Sequence, residues 1–227
     1  MPPTTSSSSD GAAPAPAALR EDLVRTMRGL EADGLNRAAA GNASVRNGAH
    51  FLITPTGVLP ADLSAAAMVE MTLDGTPLST SYRPSSEWRF HAGIYAARPD
   101  AGAVVHVHSP YATALACTRR EIPPFHYMVA VAGGATIPCA PYATFGTEAL
   151  SQRVVAALAG RNACLLANHG LVAIGPDLAR ARRLAVEVEE LARQYLLALD
   201  AGGPVLLNDV EIADAIRQFK DYGQQGT

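Results

Sequence analysis

Apolar positions recur along this chain with a helical period in several long segments. Near the start, Leu23, Met27 and Leu30 are spaced by four and three residues, which predicts an amphipathic helix over residues 17–36. The same spacing predicts a long helix over residues 177–201, whose apolar face consists of Leu184, Val188, Leu191, Tyr195 and Leu199. Shorter helices are predicted over residues 87–97, 110–117, 147–158 and 209–219. Ser85 or Ser86 is the expected N-cap of the helix that begins at residue 87.

Short apolar runs lie between these helices and predict strands. Two of them, over residues 44–46 and 50–54, are joined by Asn47-Gly48, a dipeptide that favours a tight hairpin turn. Further strands are predicted over residues 68–73, 103–108, 163–167 and 171–174. Because helices alternate with strands while hairpins occur among the strands, we expect an α/β fold. It would be a three-layer α/β/α sandwich around a mixed or antiparallel central sheet.

The first sixteen residues differ in composition from the rest of the 227-residue chain. They are rich in Ser, Pro and Ala and lack both the basic start and the apolar core of a secretory signal. We therefore expect residues 1–16 to be a disordered tail. Residues 17–227 would form one catalytic domain, since their length suits a single core.

Composition excludes several classes of partner. The net charge is −3 and no apolar run approaches the length of a membrane-spanning helix, so neither nucleic acid nor a membrane is an expected partner. The cysteines Cys117, Cys139 and Cys164 are odd in number, widely spaced and set in apolar contexts. They form no disulfide pattern, which indicates a reducing, cytoplasmic location.

Three histidines are the best candidates for chemistry. His106 and His108 alternate on one strand, so their side chains share a face, roughly 6.5–7 Å apart along it. His169 closes another strand-like run. One histidine at a strand end is more often an ordinary hydrogen-bonded residue, but three imidazoles suit a divalent metal with an open coordination position. The other histidines, His50, His91 and His126, are expected to be structural.

Several short segments could bind an anion. Glu87 follows two serines at a predicted helix start, where hydroxyls and free N–H groups gather. Taken alone, it is equally a first-turn acid favoured by the helix dipole. The turns at residues 41–44 and 54–57 are individually ordinary, and together they indicate a phosphate pocket.

The combination of these motifs resembles the class II aldolase/adducin family over residues 18–223, and within it the L-fuculose 1-phosphate aldolase branch. The shared motifs are Gly41-Asn42-Ala43-Ser44, Thr54-Pro55-Thr56-Gly57, Pro84-Ser85-Ser86-Glu87, His106-Val107-His108 and Asn168-His169-Gly170. The resemblance continues through residues 122–134, 137–146 and 219–223.

The resemblance implies a role for each matching residue. His106, His108 and His169 would bind one Zn²⁺ per subunit, together with Glu87, which would also act as the general acid/base. The phosphate of the substrate would be held by Asn42, Thr56, Gly57, Ser85 and Ser86. At the aldehyde end, Tyr127 of a neighbouring subunit would be a proton donor. Phe145 of that neighbour and Tyr222 of the C-terminal segment would line the pocket. The implied assembly is a homotetramer with sites at subunit interfaces.

The implied reaction is the reversible cleavage of a ketose 1-phosphate to dihydroxyacetone phosphate and a small aldehyde. L-fuculose 1-phosphate, which gives lactaldehyde, is the first candidate substrate. A 5-deoxyribulose or methylthioribulose 1-phosphate is the alternative substrate. An alternative reaction on the same scaffold is pentulose-phosphate 4-epimerisation, and the remaining alternative is a non-catalytic, adducin-like interaction module. Lys220 is the only lysine, so an imine-forming aldolase mechanism is not expected. Asn168 and the His108-Ser109-Pro110 segment depart from the fuculose pattern and leave the aldehyde preference open.

Overall fold

A computed structural model describes residues 16–79 and 81–220. The α-helices are α1 (Pro16–Ala32), α2 (Trp88–Ala97), α3 (Pro110–Cys117), α4 (Glu148–Ala157), α5 (Leu178–Asp200) and α6 (Asp209–Lys220). The strands are β1 (Asn42–Asn47), β2 (His50–Ile53), β3 (Val69–Thr72), β4 (Pro77–Ser79), β5 (Ala103–Val107), β6 (Cys139–Ala140), β7 (Ala163–Leu166) and β8 (Gly170–Gly175). Short 3₁₀ helices span Pro60–Asp62, Ala65–Ala67 and Tyr127–Ala132.

The strands form one eight-stranded sheet in the order β4-β3-β2-β1-β5-β8-β7-β6. Neighbouring strands are antiparallel except for the parallel pair β6 and β7, so the sheet is mixed, as predicted. The predicted hairpin is present, with Asn47 opposite His50.

Helices cover both faces of the sheet and give the predicted three layers. The alternation along β5 shows the division. Val105 and Val107 pack in the core shared with α1, α3 and α5, while Val104 packs with α2 and α4. All five residues of β5 are buried, which explains its continuous apolar character. Burying each large aliphatic side chain in these layers stabilises the fold by about 1.5–3 kcal/mol.

Two helix ends differ from the sequence prediction. The first helix ends at Ala32 rather than at residue 36, because Gly34 adopts a left-handed φ of 74°. The Gly34 and Leu35 N–H groups then close the helix on the Glu31 and Leu30 carbonyls, as in a Schellman motif. The expected N-cap at Ser85 or Ser86 was wrong. Glu87 occupies that position and its side chain makes no capping hydrogen bond.

The antiparallel topology gathers several chain segments at one edge of the sheet. The start of β1, the ends of β2 and β5, and the turn between β7 and β8 all lie there, because His106 pairs with both Asn42 and Val172. The segment before α2 joins this edge through an isolated bridge between Pro55 and Pro84. Every motif singled out in the sequence for metal or phosphate therefore reaches the same region.

The described helices include none that is both long and apolar enough to cross a membrane. Residues 1–15 of the expected tail and Tyr222 lie outside the described part of the chain. Pro16, placed in the tail by the sequence analysis, is the first residue of α1.

Candidate metal centre and active site

The three candidate histidines and Glu87 form one cluster. One ligand atom from each of Glu87, His106, His108 and His169 lies within 4.8 Å of all the others. The His106 Nε2 atom is 3.0 Å from His108 Nε2 and 3.1 Å from Glu87 Oε2. His169 Nε2 is 3.4 Å from Glu87 Oε1. The structure thus brings together the four residues that the family resemblance assigns to a metal.

The hydrogen bonds behind the cluster fix the orientation of its ligands. His106 Nδ1 is 2.9 Å from the Leu171 carbonyl oxygen on the neighbouring strand. A carbonyl only accepts, so Nδ1 carries a proton, and Nε2 is the nitrogen that faces the cluster and offers a lone pair when the ring is neutral. The backbone N–H of His108 donates to Asn36 Oδ1 at 3.1 Å. The early end of α1 is what brings Asn36 to this place.

The turn that carries His169 is held from a second direction. Asn168 adopts a left-handed φ of 55°, and its side-chain oxygen accepts a 2.8 Å hydrogen bond from Arg119. Asparagine tolerates this conformation better than most residues. The Asn168 N–H also donates to the Ala116 carbonyl at the end of α3. The departure of Asn168 from the fuculose pattern therefore coincides with a position that supports a ligand.

The electrostatics of the cluster favour cation binding. Burial alone would raise the pKa of the Glu87 carboxyl, but His106, His169 and the Asn42 amide hold it well below its ordinary range. Burial opposes the charged form of His106, yet the Glu87 carboxylate and the Leu171 carbonyl raise its pKa. Burial and the charge on neighbouring histidines lower the pKa of His108 and that of His169 to about 4. At neutral pH, two imidazoles are therefore free of protons that a metal would have to displace.

The donor set fits a divalent metal ion. Glu87 Oε1 is buried and accepts no hydrogen bond from the described residues, an arrangement that is costly unless a cation completes it. Tetrahedral zinc with ligand bonds of about 2.0–2.2 Å separates its ligand atoms by about 3.3–3.6 Å, which is close to the three shortest contacts in the cluster, at 3.0, 3.1 and 3.4 Å. His106 is fully buried and His108 is partly open, so the cluster has a closed side and an accessible side.

A cavity of about 330 Å³ opens on the accessible side of the cluster. It is lined by the predicted phosphate residues Asn42, Thr56, Gly57, Ser85 and Ser86, together with Glu87, His108 and His169. Ser85 Oγ accepts a hydrogen bond from the Glu87 N–H at 3.3 Å, so this hydroxyl lies against the backbone of the acid. The metal cluster and the candidate phosphate-binding residues thus share one cavity.

Of the residues expected at the aldehyde end, one lines the cavity, one does not, and one lies outside the described residues. Phe145, expected from a neighbouring subunit, lines the cavity of its own chain with 66% of its surface exposed. Tyr127 does not line that cavity. It stacks on Phe219 with ring centroids 6.2 Å apart and is 54% exposed. Tyr222 lies outside the described residues.

Two further residues at the site were not assigned to it from the sequence. Tyr142 lines the cavity beside Phe145, in a loop without periodicity that offered no signal. His91, expected to be structural, lies 2.6 Å through its Nε2 atom from Asn42 Oδ1. Its position at i+4 from Glu87 on a predicted helix was the available clue.

The comparisons with known proteins agree with this geometry. The family model described as Class II Aldolase and Adducin N-terminal domain matches residues 21–196. The 5-methylthioribulose-1-phosphate/5-deoxyribulose-1-phosphate aldolase of Rhodospirillum rubrum is 50% identical over 206 residues, covering 91% of this chain and 93% of the relative. The L-fuculose phosphate aldolase of Escherichia coli is 47% identical over 207 residues, covering 90% and 95%.

The solved structures give the same result. An L-fuculose 1-phosphate aldolase superposes with a TM-score of 0.88 at 37% identity, covering 92% of this chain and all of that one. Fold and site together define a metal-dependent aldehyde-lyase. The chain belongs to the class II aldolase/adducin family.

Gly170 provides a test of the packing behind the cluster. A Cβ atom there would lie 2.4 Å from the Val107 carbonyl oxygen and 3.0 Å from His108 Cδ2. Gly170→Ala should therefore displace β5 and β8 at the candidate ligands and lower the affinity for an added divalent metal ion by about tenfold or more, measured by competition with a chromogenic chelator.

Gly29→Ala is the matched control for that substitution. Gly29 lies on α1, and the nearest atoms to its added Cβ belong to the flexible end of the Arg182 side chain. The affinity for the same metal ion should stay at the wild-type value in this control. Unchanged affinity in Gly170→Ala as well would show that the strand spacing does not position the ligands.

Proposed function

We propose that this protein is a zinc-dependent aldolase that reversibly cleaves a deoxy-ketose 1-phosphate to dihydroxyacetone phosphate and a small aldehyde. The observation that carries the proposal is the cluster of Glu87, His106, His108 and His169 at one end of a cavity lined by hydroxyls and turn backbone. The family acts on phosphorylated sugars, which matches a cavity that joins a metal site to an anion site.

Zinc would be held by three imidazoles and one carboxylate. This mixed nitrogen and oxygen donor set suits zinc better than magnesium or calcium, which prefer all-oxygen sites. When bound, zinc supplies a Lewis acid that polarises a carbonyl and stabilises developing negative charge. The four ligands come from one chain, so one ion per subunit is expected.

Glu87 is the group placed to move a proton at the reacting carbon. In the cleavage direction the C3–C4 bond of the ketose breaks, the C4 hydroxyl gives its proton to the aldehyde-end group, the role proposed for Tyr127 of a neighbouring subunit, and the aldehyde leaves. The electron pair stays on the dihydroxyacetone phosphate half, whose C3 must then gain a proton. Glu87 borders both the cluster and the cavity, so its carboxyl can deliver that proton and take it back in the reverse reaction.

The phosphate would bind beside the metal cluster, among the hydroxyl groups that line the cavity. Ser85, Ser86 and Thr56 supply hydroxyl groups there, while Gly57 and Asn42 complete the lining. These are neutral donors, and the Ser85-Ser86 pair precedes the N-terminus of α2, whose dipole favours an anion. This arrangement would set the distance between phosphate and reacting carbons.

The aldehyde half would face the aromatic side of the cavity. Tyr142 and Phe145 give this wall a largely apolar surface, which favours a small aldehyde with an alkyl end over a strongly polar one. The two named relatives, at 50% and 47% identity, are aldolases for different sugar phosphates. We therefore propose L-fuculose 1-phosphate and 5-deoxyribulose 1-phosphate, or its methylthio analogue, as the substrates to compare.

A homotetramer with sites between subunits would account for the position of Tyr127. Its side chain is half exposed and lies away from the cavity of its own chain, so it could reach the cavity of a neighbour as a proton donor. We also propose a cytoplasmic location, because all three cysteines are free thiols, as a reducing compartment would keep them.

The activity can be tested with zinc-loaded protein and both substrates. A coupled assay should detect dihydroxyacetone phosphate from at least one of L-fuculose 1-phosphate and 5-deoxyribulose 1-phosphate. Release should stop with a chelator and return when zinc is added, because the Lewis acid is required. The ratio of the two kcat/KM values would name the preferred aldehyde. No release from either substrate would contradict the aldolase and favour an epimerase on the same scaffold.

Removing a central ligand should abolish metal binding. In His106→Ala the cluster loses its most buried imidazole, and we expect bound zinc to fall below about a tenth of the wild-type stoichiometry after dialysis. His50→Ala is the control, since this half-exposed histidine lies beside Glu70 rather than in the cluster. Full zinc content in His106→Ala would overturn the ligand assignment.

The role of Glu87 can be separated from folding. Glu87→Gln keeps the size of the side chain and removes its proton-accepting charge, so kcat should fall by about 10²- to 10⁴-fold while the thermal unfolding midpoint stays close to wild type. Glu70→Gln, a carboxylate on β3 outside the cavity, should retain its activity. If Glu87→Gln turned over at the wild-type rate, Glu87 would not be the acid/base.

A further inference from the structure

A chain of buried polar side chains extends from Glu87 into the core. Asn42 Nδ2 is 3.0 Å from Glu87 Oε2, and Asn42 Oδ1 is 2.6 Å from His91 Nε2. Ser44 Oγ continues the chain, at 2.7 Å from His91 Nδ1 and 2.8 Å from Tyr95 Oη. All of these residues are buried, and His91 and Ser44 have no exposed surface.

Two regular elements generate this chain by their periodicity. Asn42 and Ser44 are two residues apart on β1 and share one face of the strand. His91 and Tyr95 are four residues apart on α2 and share one face of the helix. The helix packs on the strand, so the side chains alternate across the contact.

The hydrogen bonds can run in only one direction. The Glu87 carboxylate accepts, so Asn42 must donate through Nδ2 and accept through Oδ1. His91 therefore carries its proton on Nε2, and its Nδ1 accepts from the Ser44 hydroxyl. Ser44 in turn accepts from the Tyr95 hydroxyl. Each donor has one acceptor, and the amide of Asn42 has one orientation.

The surroundings keep the side chains of His91 and Tyr95 neutral. The His91 ring stacks on Phe90 at 4.6 Å, and the Tyr95 ring lies 5.5 Å from Phe51. Burial and the nearby His106 lower the pKa of His91 to about 3, and burial raises that of Tyr95 above its ordinary value. Neither ring changes its protonation at neutral pH, so the direction of the hydrogen bonds persists.

We propose that His91, supported by Ser44 and Tyr95, is a positioning residue that locks the Asn42 amide with its N–H₂ group toward Glu87, and so holds the Glu87 carboxylate at the metal cluster. A flipped amide would place Asn42 Oδ1 against Glu87 Oε2, two acceptors at hydrogen-bond distance, and would push the carboxylate away. His91, Ser44 and Tyr95 do not line the cavity, so they would act on metal binding and proton transfer only through Asn42 and Glu87. This inference rests on the proposed role of Glu87.

Two amide substitutions at His91 separate positioning from packing. Glutamine can place an N–H donor where Nε2 of His91 lies, whereas the shorter asparagine reaches Ser44 but not Asn42. In His91→Asn, we expect kcat to fall about tenfold and the zinc dissociation constant to rise about tenfold, because Glu87 loses the group that orients it. In His91→Gln, both values should stay within about twofold of wild type.

Ile94→Ala is the control for lost stability. Ile94 lies on the same helix and is 1% exposed, but it has no polar atom to offer the chain. The thermal unfolding midpoint of Ile94→Ala should fall, while its kcat and zinc affinity should stay at the wild-type values. Equal losses of kcat in His91→Asn and His91→Gln, or no loss in either, would overturn the positioning role.

A measurement on the wild-type protein avoids substitution altogether. Solid-state NMR of zinc-loaded protein labelled with ¹⁵N at the histidine rings should show His91 protonated at Nε2, with the resonance assigned by its loss in His91→Gln. A proton on Nδ1 instead would contradict the proposed direction of the hydrogen bonds. The NMR readout and the zinc affinity do not depend on turnover. A protein without aldolase activity would therefore refute the proposed function, while these two measurements would still test the hydrogen bonds from His91 to Glu87.

Discussion

The structure depends on bringing ligand atoms of three imidazoles and one carboxylate to within 4.8 Å of each other inside a protein. Such a cluster is unfavourable in an ordinary core, because buried polar groups need partners. It is tolerable here because the ligands are anchored from behind. The Leu171 carbonyl anchors His106, Asn36 anchors the backbone of His108, and Asn42 anchors Glu87. The turn that carries His169 is held by the hydrogen bond from Arg119 to Asn168. The anchors leave the ligand atoms facing one another, as a metal requires.

The sheet topology makes this arrangement possible. Because β1, β5 and β8 are consecutive antiparallel neighbours, the start of one strand and the end of the next lie at the same edge. The helix α2 has a double role there. Glu87 and the two serines lie at its N-terminal end. Its buried face packs with α4 on one side of the sheet and supplies His91 and Tyr95. Stability and chemistry thus share one helix.

Local patterns in the sequence predicted much of this structure. Most helices, the Asn47-Gly48 hairpin and the shared face of His106 and His108 follow from periodicity and turn chemistry, which act over a few residues. The edge strand β4 did not, because three residues beginning with Pro77 give no alternation. The roles of Asn36 and His91 were also missed, since each depends on a contact 49 or more positions away in the chain. Family resemblance, rather than spacing, supplied the assignment of Glu87 to the metal.

We propose that Glu87, His106, His108 and His169 bind zinc. X-ray absorption at the zinc edge of the purified, zinc-loaded protein would test it most directly. We expect one zinc ion per chain with three imidazole nitrogens and at least one carboxylate oxygen, at about 2.0–2.2 Å. A spectrum dominated by sulfur ligands, or by water with fewer than three imidazoles, would contradict it.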